Sequence, residues 1–202
     1  NEGVVITPRG FCLKMRSAED LNEHYAIIGM ATVIEDYPLY FDATNEKGLS
    51  MAGLNFPGNA DYKPFCEGEN NLTPFELIPY ILGKCKSVTE AKKELEKINV
   101  INLSFSKELP LSPLHWIVSD KNCSVTVESV KEGLFIYENP VGVLTNNPTF
   151  NYHLTNLNNY MSLSEGASEN NLSNSLKLEN YSLGMGALGL PGDFSSASRF
   201  IK

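Results

Sequence analysis

Long apolar runs and blocks of like charge are both missing from this chain of 202 residues. No stretch approaches the roughly 18–20 apolar residues that a membrane-spanning helix requires, so we expect no membrane partner. The 24 acidic residues outnumber the 16 basic ones, which gives a net charge of −8 without a basic cluster. Nucleic acids are bound through basic patches, so a nucleic-acid partner is disfavoured. The composition is typical of one globular domain.

Closely spaced cysteine pairs are missing too. The chain has four cysteines, Cys12, Cys66, Cys85 and Cys123. None of them forms a C-x-x-C pair, which favours reduced thiols in a cytoplasmic protein. The three histidines lack the spacing of metal ligands. His115 precedes Trp116 in a predicted strand, and this context indicates a hydrogen-bonded core histidine.

The common motifs of hydrolases and dinucleotide-binding proteins give little support to either class. No G-x-S-x-G elbow is present, which disfavours an ordinary serine hydrolase. Residues 184–189 match G-x-G-x-x-G, but a dinucleotide site needs that motif between a first strand and a helix. Its place near the end of this chain favours close backbone packing or a pocket-lining loop.

Strand patterns dominate the first two-thirds of the chain. The predicted strands cover residues 3–7, 25–34, 39–42, 49–54, 114–119, 124–130, 134–137 and 141–144. Residues 45–48, Asn-Glu-Lys-Gly, predict a tight hairpin turn, because Asn and Gly tolerate a positive φ.

Three helices are predicted between and after these strands. Residues 73–76 match a capping box with proline at the first helical position, and Pro79 should kink or shorten that helix. Residues 87–90 match a second capping box, which opens a helix to about residue 98. The third helix should begin with Asn147 as its cap. Strand groups separated by a helical pair predict an α+β fold with two sheets covered by helices.

Three polar side chains lie in apolar or Gly/Pro-rich surroundings: Asn55, Asn146 and Arg199. An amide at a strand end can direct its N–H groups at a developing oxyanion. An arginine can hold a carboxylate or steady a thiolate. Turn capping by the asparagines and a surface ion pair of the arginine would explain the same residues without a site.

Six segments resemble the choloylglycine hydrolase family. They are YPLYFD at 37–42, NEKGL at 45–49, AGLNFPG at 52–58, LHW at 114–116, LTNNP at 144–148 and GLPGDF at 189–194. They follow the family order over essentially the whole chain, and within the family they are most similar to bile salt hydrolases of Gram-positive gut bacteria.

The resemblance implies an αββα sandwich of the N-terminal-nucleophile hydrolase type. In this family a cysteine becomes the first residue, attacks an amide carbonyl, and uses its own α-amino group as base. The implied substrates are bile acids conjugated to glycine or taurine. The implied enzyme needs no metal or organic cofactor and is a cytoplasmic homotetramer when full length.

The resemblance also assigns site residues. Asn55 and Asn146 match family positions at the oxyanion site, and Arg199 matches the arginine near the nucleophile. Four residues match apolar positions that line the substrate pocket: Ile34, Phe41, Phe105 and Leu109. Asparagine at position 55 favours bile salts over penicillin V, since penicillin V acylases often carry tyrosine there.

The nucleophile itself has no counterpart among these residues. The chain opens on Asn1, and Cys12 is neither terminal nor in a matching segment. We therefore expect residues 1–202 to be the central portion of a single domain, cut at both ends and inactive alone.

The alternatives to a bile salt hydrolase are a penicillin V or acyl-homoserine lactone acylase on the same scaffold, and a non-catalytic bile-salt-binding pseudoenzyme.

Overall fold

A computed structural model of the protein describes residues 2–161, 170 and 173–177. The chain divides into two compact units, residues 1–148 and residues 149–202. Arg199 and the glycine-rich segment 184–189 lie outside the described residues.

Nine strands occur among the described residues of the first unit. They are β1 (Glu2–Thr7), β2 (Ile27–Ile34), β3 (Tyr37–Asn45), β4 (Ser50–Asn55), β5 (Asn70–Leu72), β6 (Ile98–Val100), β7 (Leu114–Ser119), β8 (Ser124–Val130) and β9 (Gly133–Glu138). Seven of them form one sheet in the order β1-β2-β3-β4-β7-β8-β9, and all its neighbours are antiparallel. β5 and β6 pair in parallel as a small second sheet.

Helices α1 (Leu77–Lys84) and α2 (Val88–Leu95) pack against the large sheet, α1 on β3 and β4 and α2 on β7. The core lies between the helices and one face of the sheet. Its fully buried members include Met51, Trp116, Val127, Leu77, Ile81 and Leu95. The second unit contains α3 (Phe150–Asn156) and a 3-10 turn, Leu157–Tyr160. Sheet and helices together confirm the predicted α+β class.

The predicted hairpin turn at residues 45–48 is confirmed. Gly48 has a φ of +85°, and the Asn45 Oδ1 accepts from the N–H groups of Lys47 and Leu49 at 3.0 Å each. The Asn45 Nδ2 also donates to the carbonyls of Leu82 and Cys85 at 2.7 Å each. One buried amide therefore shapes the turn and fastens it to the end of α1.

The first two predicted helices exist with different limits. The Glu76 carboxylate accepts from the N–H and hydroxyl of Thr73, but α1 begins only at Leu77. Pro79 lies in the first turn of α1, where a missing N–H removes no helical hydrogen bond. α2 is capped by Ser87 as predicted but ends at Leu95, because the chain continues into β6.

Two predictions in the segment between β9 and α3 are wrong. Residues 141–144 form no strand: the Asn139 side chain accepts from the Gly142 N–H and donates to the Val143 carbonyl. This local bonding competes with strand pairing. The third helix begins at Phe150 with Thr149 as its cap, because the Asn147 side chain is used elsewhere.

Candidate active site

The structure brings Asn55 and Asn146 together at one end of the large sheet. Asn55 is the last residue of β4, and Asn146 lies in the segment that follows β9. The Asn146 Nδ2 donates to the Asn55 carbonyl at 2.6 Å. Asn55 is exposed, and its side-chain amide has no hydrogen-bond partner within the part of the chain that the structure describes. A ligand at this edge can therefore reach it.

A second asparagine pair fixes the same two segments to each other. The Asn147 Nδ2 donates to the Pro57 carbonyl at 2.7 Å, and the Asn59 Nδ2 donates to the Asn147 Oδ1 at 3.1 Å. We call residues 55–59 and 145–147 the amide site. Amide donors held in this way cost little reorganisation when charge develops on a bound carbonyl.

A buried histidine and glutamate lie beneath the amide site. The β7–β8 register pairs Trp116 with Val127, which sets His115 opposite Glu128. The His115 Nδ1 is 3.0 Å from the Glu128 Oε1, and its Nε2 is 2.7 Å from the Thr145 carbonyl. The two residues are 0% and 1% exposed, so the predicted core histidine is confirmed. The contact with Thr145 and the glutamate partner were not predicted.

An apolar cavity of about 230 Å³ opens beside the sheet. Its wall includes all four of the predicted pocket residues, Ile34, Phe41, Phe105 and Leu109. Leu114 also lines it, and Leu114 is the partner of Asn55 in the β4–β7 register. The apolar cavity and the amide site therefore adjoin at a single strand pair.

A β-bulge explains the position of Phe41. Met30 pairs with Asp42 and Ala31 pairs with Tyr40, so Phe41 is the extra residue of β3. A bulge bends its strand and redirects a side chain. As a result the consecutive residues Tyr40 and Phe41 both line the cavity, which regular alternation would not allow.

Phe105 and Leu109 are held by the connection from β6 to β7. Phe105 is 8% exposed and packs edge-on against Phe75, with ring centroids 5.2 Å apart. The Arg16 guanidinium lies 4.7 Å from the centroid of the Phe105 ring. The Ser106 hydroxyl accepts from the Leu109 N–H at 3.3 Å, a local turn that directs Leu109 to the wall.

Two tyrosines near this wall, the buried Tyr37 and the partly buried Tyr62, stay neutral. Burial raises the pKa of Tyr62 to about 12. The Tyr62 hydroxyl donates to the Ser112 carbonyl at 2.8 Å and accepts from the Leu114 N–H at 2.7 Å, which fixes the strand next to the cavity. Burial also raises the pKa of Tyr37 far above its ordinary value, and Tyr37 packs on Phe105. The wall thus suits an apolar ligand.

Three of the cysteines have a raised pKa, the opposite of what activates a thiol. The negative charge of Glu69 raises the pKa of Cys66, burial raises that of Cys85 to about 12, and burial raises that of Cys123. Cys12 lies in the loop after β1, with its Sγ 3.9 Å from an Asp20 carboxylate oxygen. The described residues also contain no cluster of His, Cys, Asp and Glu that could hold a metal ion.

Comparison with solved structures defines the class of fold. The structure superposes on two variants of conjugated bile acid hydrolase from Clostridium perfringens, an arginine-to-leucine and a cysteine-to-alanine variant, each with a TM-score of 0.87. Identity is 40% and 39%, over 100% of this chain and 62% of each matched chain. Penicillin V acylase from Agrobacterium tumefaciens matches with a TM-score of 0.59 at 24% identity, over 76% of this chain and 47% of that chain. At this identity the match is evidence for a shared fold only. The fold is that of the N-terminal-nucleophile hydrolases.

Sequence comparison narrows the class to one family. Residues 1–202 match the model of the linear amide C–N hydrolases of the choloylglycine hydrolase family, and the chain belongs to that family. It is 59% identical over 202 residues to a bile salt hydrolase/transferase of Lactiplantibacillus plantarum, covering 100% of this chain and 62% of that protein. It is 39% identical over 203 residues to a conjugated bile acid hydrolase of Lactobacillus gasseri, covering 100% of this chain and 64% of that protein. The chain thus spans less than two thirds of the length of these relatives.

No helix in the described ranges is both long and apolar enough to cross a membrane.

Proposed function

We propose that the protein made from the complete reading frame hydrolyses the amide bond of bile acids conjugated to glycine or taurine. The observation that carries this proposal is the pairing of Asn55 with Leu114. It joins a site of fixed amide donors to an apolar cavity. A conjugated bile acid has the matching arrangement, an amide carbonyl at the end of an apolar steroid body.

The chemistry requires a cysteine at the first position of the mature chain, and the four cysteines of these 202 residues are all internal. We propose a cysteine upstream of Asn1 that becomes the first residue of the mature enzyme. Its α-amino group takes the thiol proton, and the thiolate attacks the amide carbonyl. The C–N bond then breaks, the protonated amine of glycine or taurine leaves, and water hydrolyses the thioester to release the bile acid.

The amide site stabilises the negative charge that forms on the carbonyl oxygen. Asn55 offers an exposed side-chain amide, and the bond from Asn146 to the Asn55 carbonyl fixes the orientation of the second amide. Removing one such donor typically lowers kcat about 100-fold to 1,000-fold. Arg199 is assigned to steady the thiolate, by family resemblance alone.

The cavity binds the steroid body. Ile34, Phe41, Phe105 and Leu109 give it an apolar wall, and neutral Tyr37 and Tyr62 add no charge. Burial of apolar surface supplies affinity, while the few polar groups at the amide site orient the scissile bond.

The decisive experiment uses the protein from the complete reading frame with glycine and taurine conjugates as substrates. Replacing the first-residue cysteine by alanine should abolish release of the amino acid. Asn146→Ala should lower kcat by at least about 100-fold, whereas Asn122→Ala, at an exposed turn, should leave it unchanged. Hydrolysis that survives loss of the terminal cysteine would refute the mechanism.

Two alternatives give different results in the same assays. A penicillin V or acyl-homoserine lactone acylase would show the higher kcat/KM on those substrates. A non-catalytic protein would bind bile salts without turnover and would lack the upstream cysteine codon. Cytoplasmic location, a homotetramer and inactivity of residues 1–202 alone remain predictions.

A further inference from the structure

We propose that His115 and Glu128 form a buried ion pair that positions the amide site, with His115 as an imidazolium that donates from both ring nitrogens. The pair touches no substrate atom in this proposal and acts through Thr145, the residue before Asn146. The inference rests on the proposed function for its kinetic consequences. Its structural part can be tested separately.

Hydrogen-bond direction decides the protonation state. The Thr145 carbonyl can only accept, so the His115 Nε2 at 2.7 Å must carry a proton. A neutral imidazole would then present a lone pair at Nδ1 to the Glu128 carboxylate, 3.0 Å away. Two acceptors at this distance repel each other in a site where neither group is exposed to water. The pair must therefore hold one further proton.

That proton belongs on the imidazole rather than on the carboxylate. Imidazole is the stronger base, and the resulting charge-assisted hydrogen bond is stronger than a neutral one. The ring of Phe56 also stacks on His115, with centroids 4.2 Å apart and an interplanar angle of 7°. An aromatic face in this position attracts a cation.

The same imidazolium contacts both halves of the amide site. Its Nε2 holds Thr145, directly before Asn146, and its face holds Phe56, directly after Asn55. The bond from Asn146 to the Asn55 carbonyl then closes the arrangement. Because oxyanion donors must sit within about 0.5 Å of their productive positions, loss of this support should lower kcat more than it changes KM.

The test compares variants of the protein from the complete reading frame. Glu128→Gln keeps the contact, because a glutamine amide can donate to the Nδ1 of a neutral His115 while Nε2 still donates to Thr145. The double variant His115→Phe with Glu128→Leu keeps the ring stacked on Phe56 and removes both polar groups. It removes both partners of the pair together, so it avoids the large loss of stability expected when only one partner of an ion pair is removed.

His24→Phe is the matched control. His24 is also a mostly buried histidine, and its ring nitrogens lie 2.7 Å from the carbonyls of Tyr25 and Phe11. Its loss should lower Tm without changing kcat. The double variant should lower kcat by about tenfold or more with KM within about threefold, and Glu128→Gln should retain most of the wild-type kcat.

Two measurements do not depend on activity. Nitrogen-15 NMR of the histidine rings should show two N–H groups on His115 in the wild type and one in Glu128→Gln. A crystal structure of the double variant should show the distance from the Asn146 Nδ2 to the Asn55 carbonyl lengthened from 2.6 Å. A neutral His115, or an unmoved Asn146 with unchanged kcat, would overturn the proposal. An inactive wild type that shows both structural signatures would overturn the proposed function and leave the ion pair standing.

Discussion

At the scale of single residues, buried amides connect parts of this protein that are distant in sequence. Asn45 is 3% exposed and uses both ends of its side chain. The Nδ2 donates to Leu82 and Cys85 at the end of α1, and the Oδ1 accepts from the turn between β3 and β4. The residue thus links the first hairpin to the helix that covers the sheet.

Asn45→Ala should therefore destabilise the protein much more than an ordinary asparagine replacement. Two helix-end carbonyls and two turn N–H groups lose their partner, and unsatisfied buried groups cost about 1–3 kcal/mol each. Some of them can be hydrated after the change, so we expect a loss of about 3 kcal/mol in the free energy of unfolding, measured by urea denaturation. Asn122→Ala, at an exposed turn, should change it by less than about 0.5 kcal/mol. Equal effects of the two variants would contradict the role of Asn45.

The candidate site shows which residues a sequence can identify. The Gly/Pro-rich segments around Asn55 and Asn146 indicate both as candidates, and the structure brings the two residues together, while their catalytic role stays a prediction. The pairing of His115 with Glu128 could not be identified, because it depends on the register of β7 and β8. The cavity position of Phe41 depends likewise on a bulge, which no residue pattern indicated.

At the scale of elements, the turn between β2 and β3 is unusual in the residue types that form it. Glu35 and Asp36 connect the strands with φ values of +52° and +61°. Two positive φ values match the twist of a hairpin, and such turns normally use Asn-Gly. Ile34 precedes the turn and lines the cavity, so the turn also sets the position of a pocket residue. The sequence Glu-Asp gave no signal of a tight hairpin.

Replacing Glu35→Asn together with Asp36→Gly should stabilise the protein. Left-handed backbone costs a residue with a Cβ atom roughly 1–2 kcal/mol, and much less for asparagine and glycine. We expect the free energy of unfolding to rise by about 1 kcal/mol, seen as a higher Tm by calorimetry. The control is Asp61→Gly, at a position without positive φ, which should lower stability. A fall in Tm for the double variant would show that Glu35 or Asp36 makes a compensating contact.

Element limits were predicted less well than element types. The strands of the large sheet are predictable because their alternation is local, although the same pattern at residues 141–144 forms no strand. The helical pattern of α2 continues past Leu95, and the pattern of the third helix begins before Phe150, whereas the structure ends and begins these helices at those residues. In each case a tertiary contact sets the limit of the helix. β6 pairs with β5 directly after α2, and the side chain of Asn147, the predicted cap of the third helix, donates to the Pro57 carbonyl instead.

At the scale of the whole molecule, the part of one sheet face that β1 and β2 form is apolar and open. Val4 and Ile6 on β1 are 69% and 66% exposed, and Ile28 and Met30 on β2 are 48% and 38% exposed. The register pairs Val4 with Met30 and Ile6 with Ile28, so the four side chains form one continuous patch. Among the described strands, β1 is also one of the two edges of the sheet. An apolar patch beside a free strand edge promotes association between molecules.

Residues 1–202 produced alone should therefore associate, and a single charge at the patch should reduce this. Ile6→Lys places a cation within the patch and on the edge strand, where lysine is an effective block to strand pairing. Leu103→Lys is the matched control, since Leu103 is 45% exposed but lies outside the sheet. Light scattering and size-exclusion chromatography at equal concentration should show fewer large species for Ile6→Lys and no change for Leu103→Lys. Equal reduction by both lysines would mean that net charge, rather than the apolar face of β1 and β2, controls association.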